Sequence, residues 1–354
     1  MKIDLKKNNL DWLRLVFALQ VILIHGLENL KDNSTGAIGS FLHHFPGVPA
    51  FFFVSGFLIY ASFDKNPNLS SYFKNRFLRL FPGLVFVTIG GLGVVVYSHL
   101  HNGSFGENVG TYLTWFASQI TLGQAWNPAE FRDVGLGVVN GALWTITVEI
   151  LFYIAVPLIY WFESKLKYLV VVMFLVSFML YAFGATMLKP FNLGSKNVFD
   201  YLSLTPLVWG WMFLLGTLVY KNVIHVEKYF KCLYFGFPVL ICIIYFDLES
   251  SLLFSSAGNR LGLIYFSAFC AMILIFAFRT PFLSLKHDVS YGLYVWHMVV
   301  INLLIVVGIR SLLVMMLLTI LISIVSWLLI ERPMLKKKKV SLRASAEKFI
   351  FLNQ

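Results

Sequence analysis

The chain has 354 residues, 58% of them hydrophobic and 13% charged, with a mean hydropathy of +0.77. Soluble domains carry about 25% charged residues, so the composition excludes an ordinary soluble protein and points to a polytopic membrane protein. The formal net charge of +11 needs no nucleic acid, because a basic collar facing anionic lipid accounts for it.

Lys2, Lys6 and Lys7 precede an apolar run from Leu10 to about Leu30. That run is too long for a signal-peptide core and no small-residue cleavage site follows, so a retained first membrane helix is predicted. At about 20 apolar residues per crossing, further spans are predicted near 47–63, 80–100, 141–162, 168–188, 203–220, 233–248, 259–278, 289–309 and 311–330, making an all-α protein of ten transmembrane helices. The apolar piece 111–123 lies in a polar gap and is too short to cross, so it reads as interfacial or re-entrant. No polar gap is long enough for an independent soluble domain. Residues 1–335 therefore read as one transmembrane domain, and 336–354 as a basic cytoplasmic tail opening with "KKKK". With the N-terminus inside, 22 of the 28 Lys and Arg fall on the cytoplasmic side. This positive-inside bias puts both termini in the cytoplasm. Cys232, Cys242 and Cys270 show neither paired nor metal-ligand spacing, and no metal is expected.

The first span, "DWLRLVFALQVILIH", brackets an apolar run with Arg14 and His25. Eleven residues at 100° each make three turns plus roughly 20°, so the two side chains share a face, about 16 Å apart along the axis. Arg14 either snorkels to the inner interface or holds a ligand. His25 is either a neutral histidine bonded to a neighbouring helix or a functional group, the usual case for an ionisable residue at that depth. Glu149, in "ALWTITVEILFYIAVPLI", sits about 12 Å down its own span, at a depth similar to His25. Bonded to His25 it would raise the imidazole's basicity; alone it would be protonated and bonded to a backbone carbonyl. In "NRFLRLFP", Arg76 and Arg79 share a face at a helix start, with Pro82 in the first turn, where it is tolerated. They are either topology anchors or a phosphate clamp. "ERP" at 331–333 closes the last span. Glu331 and Arg332 there form an interfacial end pair, or Glu331 orients the cytoplasmic arginines.

These features form an ordered set: the R-x10-H pair, "FPGVPAFFFVSGFLIY", "RFLRLFP", "LWTITVEILFYIAVPLI", "SYGLYVWH" at 290–297 and "ERP". Together they resemble the integral-membrane acyltransferase-3 family over essentially the whole chain. Thr145 stands where that family commonly has Ser, and Ile150 where a second acidic or amide residue is common. The chain ends soon after the last span, so it resembles the stand-alone branch that lacks an extracytoplasmic hydrolase-like domain. The resemblance implies an enzyme that moves an acyl group, typically acetyl, from acyl-coenzyme A to a hydroxyl of a surface glycan or glycolipid. Arg14, Arg76 and Arg79 would hold the donor phosphates, with Glu331 beside them. His25, assisted by Glu149, would be the general base. The outer segment 101–140 is the candidate acceptor contact. A proton-coupled exporter of a glycan or lipid precursor is the alternative reading, because intramembrane His and Glu suit both. The partners implied are membrane lipid and a lipid-linked or polymeric saccharide, and the place implied is a bacterial inner membrane.

Overall fold

The structure, a computed structural model, describes residues 3–4, 7–30, 36–103, 105–106, 109–194, 196–246, 253, 255–257 and 260–336. The helices in chain order are α1 (Leu10–Leu30), α2 (Gly36–His43), α3 (Gly47–Lys65), α4 (Leu69–Asn102), α5 (Val109–Gln119), α6 (Trp144–Glu163) and α7 (Leu169–Leu188). There follow α8 (Val198–Leu202), α9 (Pro206–Lys221), α10 (Val223–Lys228), α11 (Gly236–Tyr245), α12 (Leu263–Arg279), α13 (Ser290–Val306) and α14 (Leu312–Ser326). A π-helical turn, Trp327–Glu331, continues α14. Strand among the described residues is confined to two hairpins of two-residue strands. Each of the ten predicted segments overlaps a helix among the described residues. Among the described residues, seven helical stretches are long and apolar enough to cross a membrane, and Phe230–Tyr245, Leu263–Arg279 and Ser290–Val306 are shorter apolar helices. The chain is an all-α polytopic membrane protein. The basic tail beyond residue 336 lies outside the described residues.

Side chains set the helix starts. Asn68 accepts from the Ser71 amide at 2.9 Å to begin α4, Thr205 accepts from Leu207 ahead of Pro206 in α9, and Ser311 accepts from Val314 in α14. Gly103 takes φ +76° and ends α4 in the left-handed conformation that favours glycine.

The fourth helix corrects one expectation. It begins at Leu69 rather than near residue 80, so Pro82 lies in its interior and not in a first turn. Its 34 residues span about 51 Å, well beyond a hydrocarbon core of about 30 Å. No breaker lies between Asn68 and Pro82, so the cap decides where the helix starts. Pro82 removes the amide that the Leu78 carbonyl would have taken, a loss that helices in lipid tolerate. Two residues on, the Leu80 carbonyl accepts a hydrogen bond from Tyr291 at 2.9 Å.

The chain divides into two compact units, each built from two separated stretches. The first holds Met1–Pro67 and Thr145–Ser290. Its centre is the crossing of α3 and α9. A Cβ at Gly56 would lie 1.8 Å from the Phe213 carbonyl oxygen, and one at Gly216 would lie 2.0 Å from that of Phe53. The two backbones therefore touch, each glycine leaving room for the other helix's main chain. Apolar groups gain little by leaving lipid, so such close packing is what joins helices in a membrane. Phe152 of α6 stacks on Phe213 at 4.0 Å. Trp211, fully buried, is ringed by Phe174, Phe178, Tyr181 and Phe266. On the other side, α1 packs along α3. There the buried Gln20 donates to Leu42 O at 2.9 Å and accepts from the Gly47 amide at 2.7 Å, fixing the turn into α3.

The second unit holds Asn68–Trp144 and Tyr291–Gln354. Its hub is Asn302 on α13, which is fully buried. Its amide donates to Val138 O, Val139 O and Met298 O, each at 3.0 Å, and its carbonyl accepts from the Leu136 amide at 2.7 Å. Gly135, at φ +57°, lets the loop approach that closely: a Cβ there would lie 2.1 Å from Asn302 Oδ1. Asn140 adds a bond to Val295 O at 2.9 Å. The loop 135–140 is thus folded onto α13. Within it α5, with 11 residues, is about 16 Å long and too short to cross.

Candidate active site

In the first unit α1 runs unbroken from Leu10 to Leu30, so the 11-residue spacing keeps Arg14 and His25 on one face. Arg14 does not end in solvent. Its Nη1 donates to Asp288 Oδ2 at 3.1 Å and lies 3.6 Å from Asp11 Oδ1, with its side chain 13% exposed. Asp288 also accepts from the Ser290 amide at 3.2 Å and from the Ser290 hydroxyl. The neighbouring chain is strapped to the start of α1. Asn9 donates to Thr280 Oγ1 at 2.7 Å and accepts from the Leu283 amide at 2.9 Å, and Trp12 donates to Leu283 O at 3.0 Å.

His25 is half-buried. One turn further along α1, Glu28 Oε1 lies 3.4 Å from His43 Nε2, which α2 brings in. Glu149, also half-buried, lies in the first unit on α6. Its carboxylate accepts a hydrogen bond from Tyr153, one turn on along the same helix. Tyr153 is thus a donor to Glu149 that sequence depth did not name. Residues i and i+4 meet on any helix, so this bond is local.

In the second unit Arg76 and Arg79 lie on α4, and their face continues through Gly83 at the i+7 position. Arg76 Cζ sits 5.4 Å from the centroid of the Tyr72 ring. Glu331 is 4% exposed and accepts from Ser326 Oγ at 3.0 Å. Two glycines make room for it: a Cβ at Gly83 would lie 3.7 Å from Glu331 Cγ, and one at Gly292 would lie 3.2 Å from Glu331 Oε1. The structure therefore brings Glu331 to the arginine-bearing face of α4, one turn from Arg79. The π-helical turn at Trp327–Glu331 widens the helix at that point, as π-turns at functional positions often do. On α13 the fully buried His297 bonds through Nδ1 to Tyr294 O at 2.6 Å. A carbonyl only accepts, so in the neutral ring Nδ1 carries the proton and Nε2 keeps its lone pair.

Sequence reasoning did not single out Asp288, Tyr153, Glu28, His43, Asn140 or Asn302. Tyr153 had a signal, the i+4 spacing from Glu149. So did Asp288, a carboxylate two residues before the start of an apolar helix. The rest are ordinary polar residues whose partners are distant in sequence.

Chemically the first unit offers an imidazole on a helix that also carries an arginine, and a carboxylate, Glu149, on another helix. The second offers a two-arginine face with a buried carboxylate beside it. Among known families, residues 7–331 match the one described as "Acyltransferase domain". Nodulation protein 10 of Rhizobium leguminosarum bv. viciae is 29% identical over 352 residues, covering 93% of this chain and 94% of that protein. ORF330 of Acidianus two-tailed virus, whose designation contains the word acetyltransferase, is 24% identical over 272 residues, covering 74% of this chain and 75% of that protein. No solved structure matches.

Proposed function

The chain belongs to the integral-membrane acyltransferase-3 family and is a membrane acyltransferase, and on that premise we propose that it moves an acetyl group from cytoplasmic acyl-coenzyme A to a hydroxyl of an extracytoplasmic glycan or glycolipid. The membrane is the bacterial inner membrane, crossed ten times, with both termini in the cytoplasm. One observation supports this reading above the others: a single apolar helix carries Arg14 and His25 on one face, about 16 Å apart. That is an arrangement for holding a long donor at one end and doing chemistry at the other.

In the proposed reaction His25 removes the proton of the acceptor hydroxyl as its oxygen attacks the thioester carbonyl. The carbon–sulfur bond breaks and the coenzyme A thiolate leaves. His25 then returns the proton to that sulfur. Glu149 orients His25 and offsets the charge on the imidazole in the transition state, because charges interact strongly where water is scarce. Arg76 and Arg79 take donor phosphates, with the buried Glu331 holding their face in place. Arg14 is assigned the same kind of ligand. The segment 101–140 contacts the acceptor.

Inverted membrane vesicles supplied with radiolabelled acetyl-coenzyme A test the reading. Label is expected on saccharide or glycolipid with the wild-type protein and not with His25→Ala. Equal labelling by both proteins, or none by the wild type in vesicles that contain surface-glycan precursors, overturns it.

A further inference from the structure

The second carboxylate near Arg14, Asp11, is exposed and 3.6 Å away, whereas Asp288 is closer and mostly buried. Asp288 is itself fixed. Two donors on Ser290, its amide and its hydroxyl, hold one carboxylate oxygen, and Arg14 holds the other. The Ser290 amide belongs to the first turn of α13, where backbone donors lack helical partners and favour a carboxylate. The strap through Asn9, Trp12, Thr280 and Leu283 keeps this stretch against the start of α1. A lone arginine one turn inside an apolar helix has a simple alternative, which is to swing along the helix to lipid headgroups. A rigid carboxylate facing it from within the protein removes that alternative. The bond occupies Nη1; a guanidinium has five N–H donors, so others remain for a ligand.

We propose that Asp288 is a positioning residue: it keeps the Arg14 guanidinium turned into the protein and presents its remaining donors to the phosphates of the donor. The consequence is a preference for a phosphate-bearing thioester, acyl-coenzyme A, over its phosphate-free pantetheine portion. This inference rests on the reading that Arg14 meets donor phosphates.

The test is calorimetric titration of the purified full-length protein with coenzyme A and, separately, with pantetheine. The proteins are the wild type, Arg14→Ala, Asp288→Asn, Asp288→Glu, Ser290→Ala and the Arg14→Ala/Asp288→Asn double variant. Asp288→Asn should weaken coenzyme A binding on the order of tenfold, the scale of a lost charge-assisted bond, and leave pantetheine binding within twofold. The double variant should bind no more weakly than Arg14→Ala, because Asp288 acts only through that side chain. Asp288→Glu should recover part of the affinity. Ser290→Ala keeps the charge and removes one anchor, so it should show a smaller loss in the same direction, and it reports even where Asp288→Asn does not fold. Wild-type affinity in Asp288→Asn, alongside weakened binding in Arg14→Ala, overturns the inference. So does equal weakening toward both ligands, which marks a general structural defect. Unchanged binding in Arg14→Ala overturns instead the underlying assignment of Arg14 to the donor.

Discussion

An ionisable side chain in an apolar helix costs free energy to insert, and that cost is what made Arg14, His25, Glu149 and Glu331 visible in the sequence. Their partners were less visible. Asp288 lies 274 residues from Arg14, and nothing in either local sequence names the other. The Tyr153 bond to Glu149 was within reach, because i+4 spacing is a rule of helices. Three predictions belong at this scale. Replacing His25 with Ala should abolish acyl transfer while membrane insertion and elution stay normal; near-normal turnover would make the ring structural. Glu149→Gln keeps the shape and an acceptor for the Tyr153 hydroxyl but removes the charge. Turnover should fall about 10²-fold, the low end of general-base contributions, with coenzyme A affinity little changed. Activity within a few-fold of the parent on the same preparation would show that a neutral Glu149 suffices. Ala at Arg76 or at Arg79 should weaken coenzyme A binding by roughly 1.5–3 kcal/mol for each charge-assisted bond lost. Lys should rescue only part of it, because the planar fork is gone. Unchanged affinity in both Ala variants would leave these arginines as topology anchors.

Element existence was legible because it rests on runs of many residues, and each predicted segment overlaps a helix. Boundaries were less so, and α4 shows why. A count of apolar residues begins the span near residue 80, but a helix starts where its amides find a cap, here Asn68. Residues 69–79, nine of the eleven polar or aromatic, look like loop by hydropathy but are helix, and they carry Arg76 and Arg79. The packing of elements was written in the sequence only as scattered glycines. "VSGF" in α3 and "LLGT" in α9 give no hint that Gly56 and Gly216 face each other's helix until both backbones are placed. The test is Gly56→Val. Its Cβ would meet the Phe213 carbonyl, a backbone atom that cannot rotate away, so α3 and α9 must separate. Overpacking typically costs about 1–3 kcal/mol, and this site lies at the upper end because the obstacle is main chain. A lower melting temperature in detergent and a protease-sensitive α3–α9 pair are expected. Gly93→Val on α4, where nothing lies within 4 Å, is the matched control and should melt with the parent. Equal melting of the two variants would show that the helices do not touch as described.

At the scale of the whole molecule the sequence was most informative where a property is a sum and least where it is a path. Mean hydropathy and the Lys/Arg bias integrate over the chain, so membrane residence could be read directly and the bias sets an expected direction. Which stretches fold together could not, because both compact units join segments far apart in the chain, Met1–Pro67 with Thr145–Ser290 and Asn68–Trp144 with Tyr291–Gln354. The direction makes a sharp prediction. Unpaired thiols at Cys232, Cys242 and Cys270 are first replaced with Ser or Ala, since the first two are exposed and would report on their own. Single cysteines are then placed at Asn66, Asn102, Ser164 and Arg310, four exposed positions at helix ends or in turns. Spans one, three and nine run outward and spans two and four inward if the N-terminus is inside. Positions 102 and 310 should then react with a membrane-impermeant maleimide added to intact spheroplasts. Positions 66 and 164 should react only in inverted vesicles. The opposite pattern would reverse the protein and place the arginines of α4 outside, away from any coenzyme A. Disagreement within either pair would break the ten-span count itself, because one crossing more or fewer between residues 102 and 310 moves only one member of the outer pair.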